Sequence, residues 1–311
     1  MASISNTKLK TLRRINYIKR MWMLYVMLIL PMTYFLVFRY APMTNIVIAL
    51  KDYNIFRGVW DSPWVGFKWF SLVFSSKDFY YAVRNTLWLN VLDLIVGFPA
   101  PIILAILLNE LTVNWYKRIT QTLVYLPHFL SWIIISGMAV MLLAPSGGIV
   151  NIFLSKNGIG PIDFLMDNRL WVGTYTGLGV WREMGWGTII YLAAIAGINP
   201  EIYEAAEVDG AGRFRKIWHV TLPGIRSTIV VLLILNFGRI LSSEFDRPYT
   251  LGNPRVIQVA DVISTMVYRV GIRSFQFSYT AAIGLFQSVV CVIFLVTANA
   301  MAKKFGERGI W

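Results

Sequence analysis

Six long apolar runs, at about 21–38, 85–108, 119–143, 177–198, 225–242 and 280–301, constrain this chain more than any other feature. Each is close to the roughly 20 residues that carry a helix across a bilayer core. The expected fold is therefore an all-α integral membrane protein with six transmembrane helices. Composition agrees, because 57% hydrophobic residues, 12 Trp and a mean hydropathy of +0.58 exceed what a soluble domain of 311 residues carries. The first run follows Lys8, Lys10, Arg13, Arg14, Lys19 and Arg20, as a signal peptide would. No small-x-small cleavage site follows it, and its length suits a span, so it reads as an uncleaved first helix. Pro99 and Pro101 fall in the second run, Pro127 near the start of the third, and Gly177, Gly179, Gly185 and Gly187 in the fourth. Such residues permit kinks and close helix contact in lipid.

The net charge of +13 raises nucleic acid as a partner, but the bases are distributed around the apolar runs and form no single patch, so nucleic acid is not expected. Their distribution does orient the chain. Segments 1–20, 109–118, 199–226 and 302–311 hold 15 Lys and Arg in 68 positions, whereas 39–84, 144–176 and 243–279 hold 12 in 116. Basic loops stay inside, so both termini and the 199–223 segment are expected in the cytoplasm. The domain reading is an N-terminal cytoplasmic segment 1–20, a six-span domain 21–302 containing the 199–223 loop, and a cytoplasmic tail 303–311. Cys291, the single cysteine, lies in an apolar run and excludes an intrachain disulfide or a CxxC motif.

Between the fourth and fifth runs lies a polar island, NPEIYEAAEVDGAGRFRKIWHVTLP, at 199–223. Asn199 suits an N-cap, Pro200 the first helical position, and Glu201, Glu204 and Glu207 the positive end of a helix dipole. A short helix is expected to about Val208, then a turn at Asp209 and Gly210, then a second helix from Arg213 to Val220 followed by Pro223. Ala205 and Ala206 are small enough for close approach of a partner, Ile202 adds apolar contact, and Gly210 lets the backbone turn where a Cβ would clash. Arg213, Arg215 and Lys216 are either partners for acids on another chain or orienting charges.

The spacing within this island carries a resemblance. Glu204-Ala205-Ala206, then Asp209-Gly210-Ala211, then, with nine residues between Gly210 and Val220, Val220-Thr221-Leu222-Pro223 resemble the signature EAA-x3-G-x9-I-x-L-P of permease subunits of ATP-binding-cassette importers, with Val220 replacing Ile. The whole chain is similar to six-span sugar permeases of the maltose-permease type. It is most similar to those handling oligosaccharides or polysaccharide fragments, which share stretches like Tyr40–Met43, Ala49–Tyr53 and Ser62–Gly66. The resemblance implies a type I importer permease fold in a bacterial cytoplasmic membrane, with no catalytic site, metal or cofactor in this chain. It also implies a second, homologous permease, two copies of a cytoplasmic ATPase carrying ATP and Mg, and an extracytoplasmic binding protein. Glu204, Ala205, Ala206, Asp209, Gly210, Ala211, Val220, Leu222 and Pro223 would form the coupling to the ATPase. An importer for a non-sugar solute is the other reading of the same signature.

Several residue patterns bear on this directly. No Gly-Lys dipeptide occurs, so the chain lacks a P-loop and ATP hydrolysis must come from another subunit. His128 and His219 have no ligand spacing and are expected at the membrane interface. No internal repeat suggests a secondary transporter, and no nucleophile–base constellation suggests an intramembrane enzyme. The candidate path is read from polar groups inside spans, which are costly against lipid: Asp93, Arg182, Glu183, Asn236 and Arg239, with Trp181 and Trp186 beside them to cover the apolar face of a sugar. The competing role for these groups is to hold helices together. Arg182 and Glu183, being adjacent, are expected on different sides of their helix and not as a pair. The aromatic run Trp60, Trp64, Phe67, Trp69 and Phe70 serves either as an interfacial belt or as a surface for the delivering protein.

Overall fold

The structure is a computed structural model that describes Tyr17, residues 20–242 and 244–304, Gly306 and Gly309. The expected cytoplasmic segment 1–20 and tail 303–311 fall largely outside the described residues. Those described are helical, with two isolated β-bridges and no strand. The chain divides into two units, Met1–Phe67 and Lys68–Trp311.

The first unit is built on α1 (Trp22–Leu50), a 29-residue apolar helix. None of the residues Trp22–Phe35 is buried, as suits a helix surrounded by hydrocarbon. The next stretch folds back on the end of α1: Asp52 N–H donates to Pro63 O at 2.9 Å and Val65 N–H to Leu50 O at 3.0 Å. Lys51 is organised into this turn, its Nζ donating to the carbonyls of Val59 and Trp60, each at 2.9 Å, and lying 5.0 Å from the Trp64 ring centre. The stretches 49–53 and 62–66 singled out above are thus each other's partners. Trp60, Trp64 and Phe67 remain exposed.

In the second unit, α2 (Lys77–Asn109) starts at Ser76, whose side chain accepts from Phe79 N–H. It changes to a π-helical turn over Asp93–Gly97 just before Pro99 and Pro101. The third run is a bent pair, α3 (Asn114–Phe129) and α4 (Trp132–Leu143), meeting at 101°. Pro127 and the capping Ser131, which accepts from Ile134 N–H, account for the break. α5 (Asn168–Ala196) is 29 residues long and capped by Asp167, which accepts from Arg169 and Leu170 N–H. After it come α6 (Pro200–Val208), α7 (Arg213–Gly224) and α8 (Arg226–Phe237), the last two bent by 59°. A short helix α9 (Asp246–Leu251) follows, and the unit ends in α10 (Phe277–Lys304).

By length and apolarity α1, α2 and α10 can each cross a membrane, and the two bent pairs raise the number to five. The sixth expected span lies in α5, which at about 1.5 Å per residue is long enough. It carries Arg182 and Glu183 and is not among the helices apolar enough to qualify alone. Such polarity is tolerated where neighbours or a water-filled cavity meet it; α5 is covered along one side, with the Arg182 side chain 15% exposed, while the Glu183 side chain stays 48% exposed. The helix packs most heavily on the Pro99–Asn109 half of α2 and touches α3 and α9 as well. A Cβ on Gly185 would overlap the Val124 backbone, and one on Gly187 would sit 2.9 Å from Pro101 Cγ. Gly177, by contrast, has open space. Trp171 and Tyr175 of α5 stack at 5.0 Å in the core with Trp132 and Leu251, while Tyr191 and Ile195 pack with Ala105 and Ile225 nearer the polar loop.

Candidate functional site

Two places gather the polar residues that the sequence singled out. The first is the loop between α5 and α8. Asn199 Oδ1 accepts from Glu201 N–H at 3.1 Å, the expected cap. At the other end of α6, Gly210 has φ +73°; its N–H donates to Glu207 O at 3.0 Å while Ala211 N–H reaches back to Ala206 O at 2.8 Å. That pair of bonds is the glycine-dependent helix stop known as the Schellman motif. No atom lies within 4 Å of where a Gly210 Cβ would stand. The glycine is therefore required by its left-handed backbone and not, as expected, by a clash.

The second helix of the loop runs further than expected. Arg213–Lys216 passes through a π-helical turn, Ile217–Thr221, and continues through Pro223 to Gly224. Pro223 follows the π-helical turn and lies one residue before the end of the segment at Gly224, ahead of the 59° bend into α8. Two contacts brace α6 against α7: the Tyr203 hydroxyl meets Thr221 Oγ1 at 3.0 Å, and Lys216 forms an ion pair with Glu207. Lys216 is thus committed inside the loop. Its hydrogen bond and charge hold the Glu207 carboxyl below the usual carboxylate value. Val208, Phe214 and Trp218 project from the loop with exposures of 88%, 89% and 69%, and Ile202 is half-exposed. Large apolar groups left in water on an otherwise polar loop mark a contact surface.

The second place is a cavity of about 410 Å³ between α2, α5 and α8. Five of the seven candidate path residues line it: Asp93, Glu183, Trp186, Asn236 and Arg239. Trp181 and Arg182 do not. Arg182 turns away, donating through Nε to Leu130 O at 3.1 Å and lying 5.0 Å from the Trp132 ring centre. It nevertheless pairs with Glu183, contrary to expectation. Two long, flexible side chains close the 100° between successive helical positions that shorter ones would not.

The centre of the cavity wall is a residue that the sequence reading assigned to an outer loop. Arg247 of α9 is only 6% exposed and makes a two-pronged ion pair with Asp93, Nη1 to Oδ2 at 2.7 Å and Nη2 to Oδ1 at 3.2 Å. Its Nη2 also donates to Tyr175 O at 2.6 Å, and its guanidinium lies 3.7 Å from the Tyr175 ring centre. A Cβ on Gly179 would occupy the space of that guanidinium. Glu244, likewise unforeseen, accepts from Trp132 Nε1 at 2.7 Å. His128 is drawn in from its expected interfacial role: its Nδ1 is 3.1 Å from Glu183 Oε2 and its ring stacks on Trp186 at 4.6 Å. His219 stays with the loop, 3.1 Å from Arg215 O.

Nearby, the carbonyls left open where α8 gives out are satisfied from outside the helix. Asn90 Nδ2 donates to Ile240 O and Gln287 Nε2 to Leu241 O, each at 2.8 Å. Interrupted helix is tolerated at membrane depth only with such partners. The only sequence signal for Arg247 was its setting, a lone cation among Phe245, Pro248, Tyr249 and Leu251. Aromatic rings beside carboxylates, amides and guanidinia suit a polyhydroxylated ligand. Among the described residues no group of His, Cys, Asp and Glu could hold a metal.

Residues 97–306 match the model of a family described as binding-protein-dependent transport system inner membrane component. The chain is 46% identical over 288 residues to the polygalacturonan/rhamnogalacturonan transport system permease protein YteP of Bacillus subtilis (strain 168), covering 93% of this chain and 90% of that protein. It is also 46% identical over 294 residues to the protein LplB of the same organism, covering 94% and 92%. Its fold is similar to a chain of a bacterial alginate ABC transporter solved with an alginate pentasaccharide-bound periplasmic protein, with a TM-score of 0.87, 40% identity, and 95% and 99% of the two chains covered.

Proposed function

Because this chain belongs to the family of binding-protein-dependent transport system inner membrane components, we propose that it is the permease subunit that conducts an oligosaccharide or polysaccharide fragment through an ABC importer. It is a membrane transport subunit and not an enzyme. The observation that carries the sugar reading over a non-sugar solute is the likeness, along nearly the whole chain in both sequence and fold, to permeases named for polygalacturonan, rhamnogalacturonan and alginate.

The mechanism follows from the two gathered regions. The 199–224 loop, with Glu204, Ala205, Ala206, Asp209, Gly210, Ala211, Val220, Leu222 and Pro223, is the coupling element seated on a cytoplasmic ATPase, which holds ATP and Mg. Exposed Val208, Phe214 and Trp218 supply its apolar contact. The braces Tyr203–Thr221 and Glu207–Lys216 let the loop move as one body, and through the bend at Ile225 its motion reaches α8 and the cavity. There Asp93, Glu183, Trp186, Asn236 and Arg239 meet the sugar, while Trp181 and Arg182 support the wall. The complete transporter in this reading pairs the chain with a homologous second permease and two ATPase copies, receives sugar from an extracytoplasmic binding protein, and keeps both termini in the cytoplasm. ATP binding and hydrolysis exchange inward and outward access, each nucleotide state favouring one of the two conformations.

Purification through a tag on this chain tests the proposal. A second permease and an ATPase are expected to accompany it, and the reconstituted complex with its binding protein should hydrolyse ATP faster when an oligosaccharide is added. A chain that transports alone would refute it.

A further inference from the structure

The charges around the cavity are matched in every case but one. Asp93 is matched by Arg247, and Glu183 by Arg182 and His128. Arg239 also lines the cavity, at the end of α8, and is exposed there; no ion pair to its guanidinium is present among the described residues. A cation at membrane depth without a counter-charge is costly, and such residues are kept where a water-filled path or a ligand meets them. The lining around it is suited to a glycan. Trp186 offers a ring, and Asn90 and Asn236, whose amide nitrogens are committed to Ile240 O and Leu232 O, keep their Oδ1 atoms to accept from hydroxyls.

Resting on the importer reading of this same cavity, we propose that Arg239 is a specificity-determining residue that receives a carboxylate of the moving glycan, so that the substrate class is an acidic, uronate-containing oligosaccharide. The planar guanidinium fork matches a carboxylate in a two-bond geometry that a neutral sugar cannot provide. The Asp93–Arg247 pair competes little for that carboxylate, since its two charges cancel each other and Arg247 is only 6% exposed, although the buried Arg247 Nε has no hydrogen-bond partner among the described residues. Among the described residues Arg239 thus supplies the uncompensated positive charge of the wall, and a chain of uronates would pass it one carboxylate at a time.

The test uses the whole transporter, purified through this chain with its partner subunits, reconstituted in proteoliposomes and supplied with one unchanged binding protein. Uptake of labelled oligogalacturonate and of oligomannuronate is compared with that of their methyl-esterified forms, which are neutral. The wild-type complex should favour the acids. Arg239→Gln should narrow the acid-to-ester ratio about tenfold, the size expected for losing one charge-assisted hydrogen bond. Arg239→Lys should recover part of it. An unchanged ratio in Arg239→Gln, or a wild-type complex that prefers the esters, overturns the proposal. An equal loss for acid and ester, with less second permease co-purifying, would mean that Arg239 pairs with a carboxylate of that subunit, and overturns it as well. A wild-type complex that takes up none of these glycans would instead count against the oligosaccharide reading on which the proposal rests.

Discussion

The loop at 199–224 and the cavity beside α5 are both polar regions in an apolar chain, and they differ in how far apart their parts lie in sequence. The side-chain hydrogen bonds that brace the loop reach at most 18 residues, from Tyr203 to Thr221. The main ion pair of the cavity joins residues 154 apart, Asp93 and Arg247. The loop is therefore organised largely by its own neighbours, through a cap, a glycine turn and two braces, and keeps Val208, Phe214 and Trp218 exposed. The cavity exists only once α2, α5, α8 and α9 have assembled, so its charges are also part of what holds the helices together. A change in the loop should uncouple the transporter while sparing the fold; a change in the cavity wall should strike both.

The largest expected effect tests the second half of that contrast. Arg247→Met leaves the Asp93 carboxylate, 32% exposed on the cavity wall, without its partner; removing one member of a fully buried pair costs about 3–5 kcal/mol, and the partial exposure of Asp93 puts this loss toward or below the lower end of that range. Thermal unfolding of the detergent-solubilised complex should drop sharply, and transport should be lost. Adding Asp93→Asn should restore much of the stability, since the second change removes the orphaned charge. A single variant as stable as the wild type would mean that the pair is not structural and that the cavity wall, like the loop, can change without loss of the fold.

A smaller effect is expected at Gly210. The left-handed backbone there costs an L-residue about 1–2 kcal/mol, more for a β-branched one. Gly210→Val should lower binding-protein-stimulated ATP hydrolysis and uptake together while the amount of chain in the membrane stays unchanged. Gly210→Asn, which tolerates that conformation, should retain most activity. If valine and asparagine behave alike, the turn is not what the glycine provides.

The smallest effect concerns the brace at Glu207. Lys216 lowers the Glu207 pKa in the folded loop, so the pair contributes stability above the ordinary glutamate value and loses it as pH falls through the lowered folded value. Because both groups meet water, the contribution is slight and screened by salt. Coupled ATP hydrolysis should weaken a little more steeply in acid for the wild type than for Glu207→Gln, which has no charge there to lose. Identical acid limbs would remove the brace from the account of the loop.

Much of the loop was legible from sequence. Asn199, Pro200 and Gly210 act on neighbours one to five residues away, and cap and turn chemistry is local. Even there the second helix runs on to Gly224 and not only to Val220, because a π-helical turn carries it through Thr221 and past Pro223. Asp93, Glu183, Asn236 and Arg239, which stand out in the sequence by their expense in lipid, line the cavity, but the sequence does not reveal their partners. Arg247 was missed because a cation beyond the fifth run is indistinguishable from an orienting loop charge until α9 is seen to tuck it against Tyr175 and Asp93. The adjacency rule failed for Arg182 and Glu183 because it describes side-chain directions at the helix surface and not how far long side chains reach.

The sequence by itself determined that this chain is an all-helical membrane protein, which runs are apolar enough to enter lipid, and that a capped, glycine-stopped loop separates two of them. Those properties follow from hydrophobic length and local backbone chemistry, which act along the chain. Only the tertiary structure decided that α3 and α4 meet at 101°, that Gly179 makes room for a guanidinium, that Arg247 answers Asp93, and that Arg239 has no counter-charge among the described residues. Those depend on which distant helices come to lie side by side, and charge pairing across 154 residues has no signature in the order of the residues between.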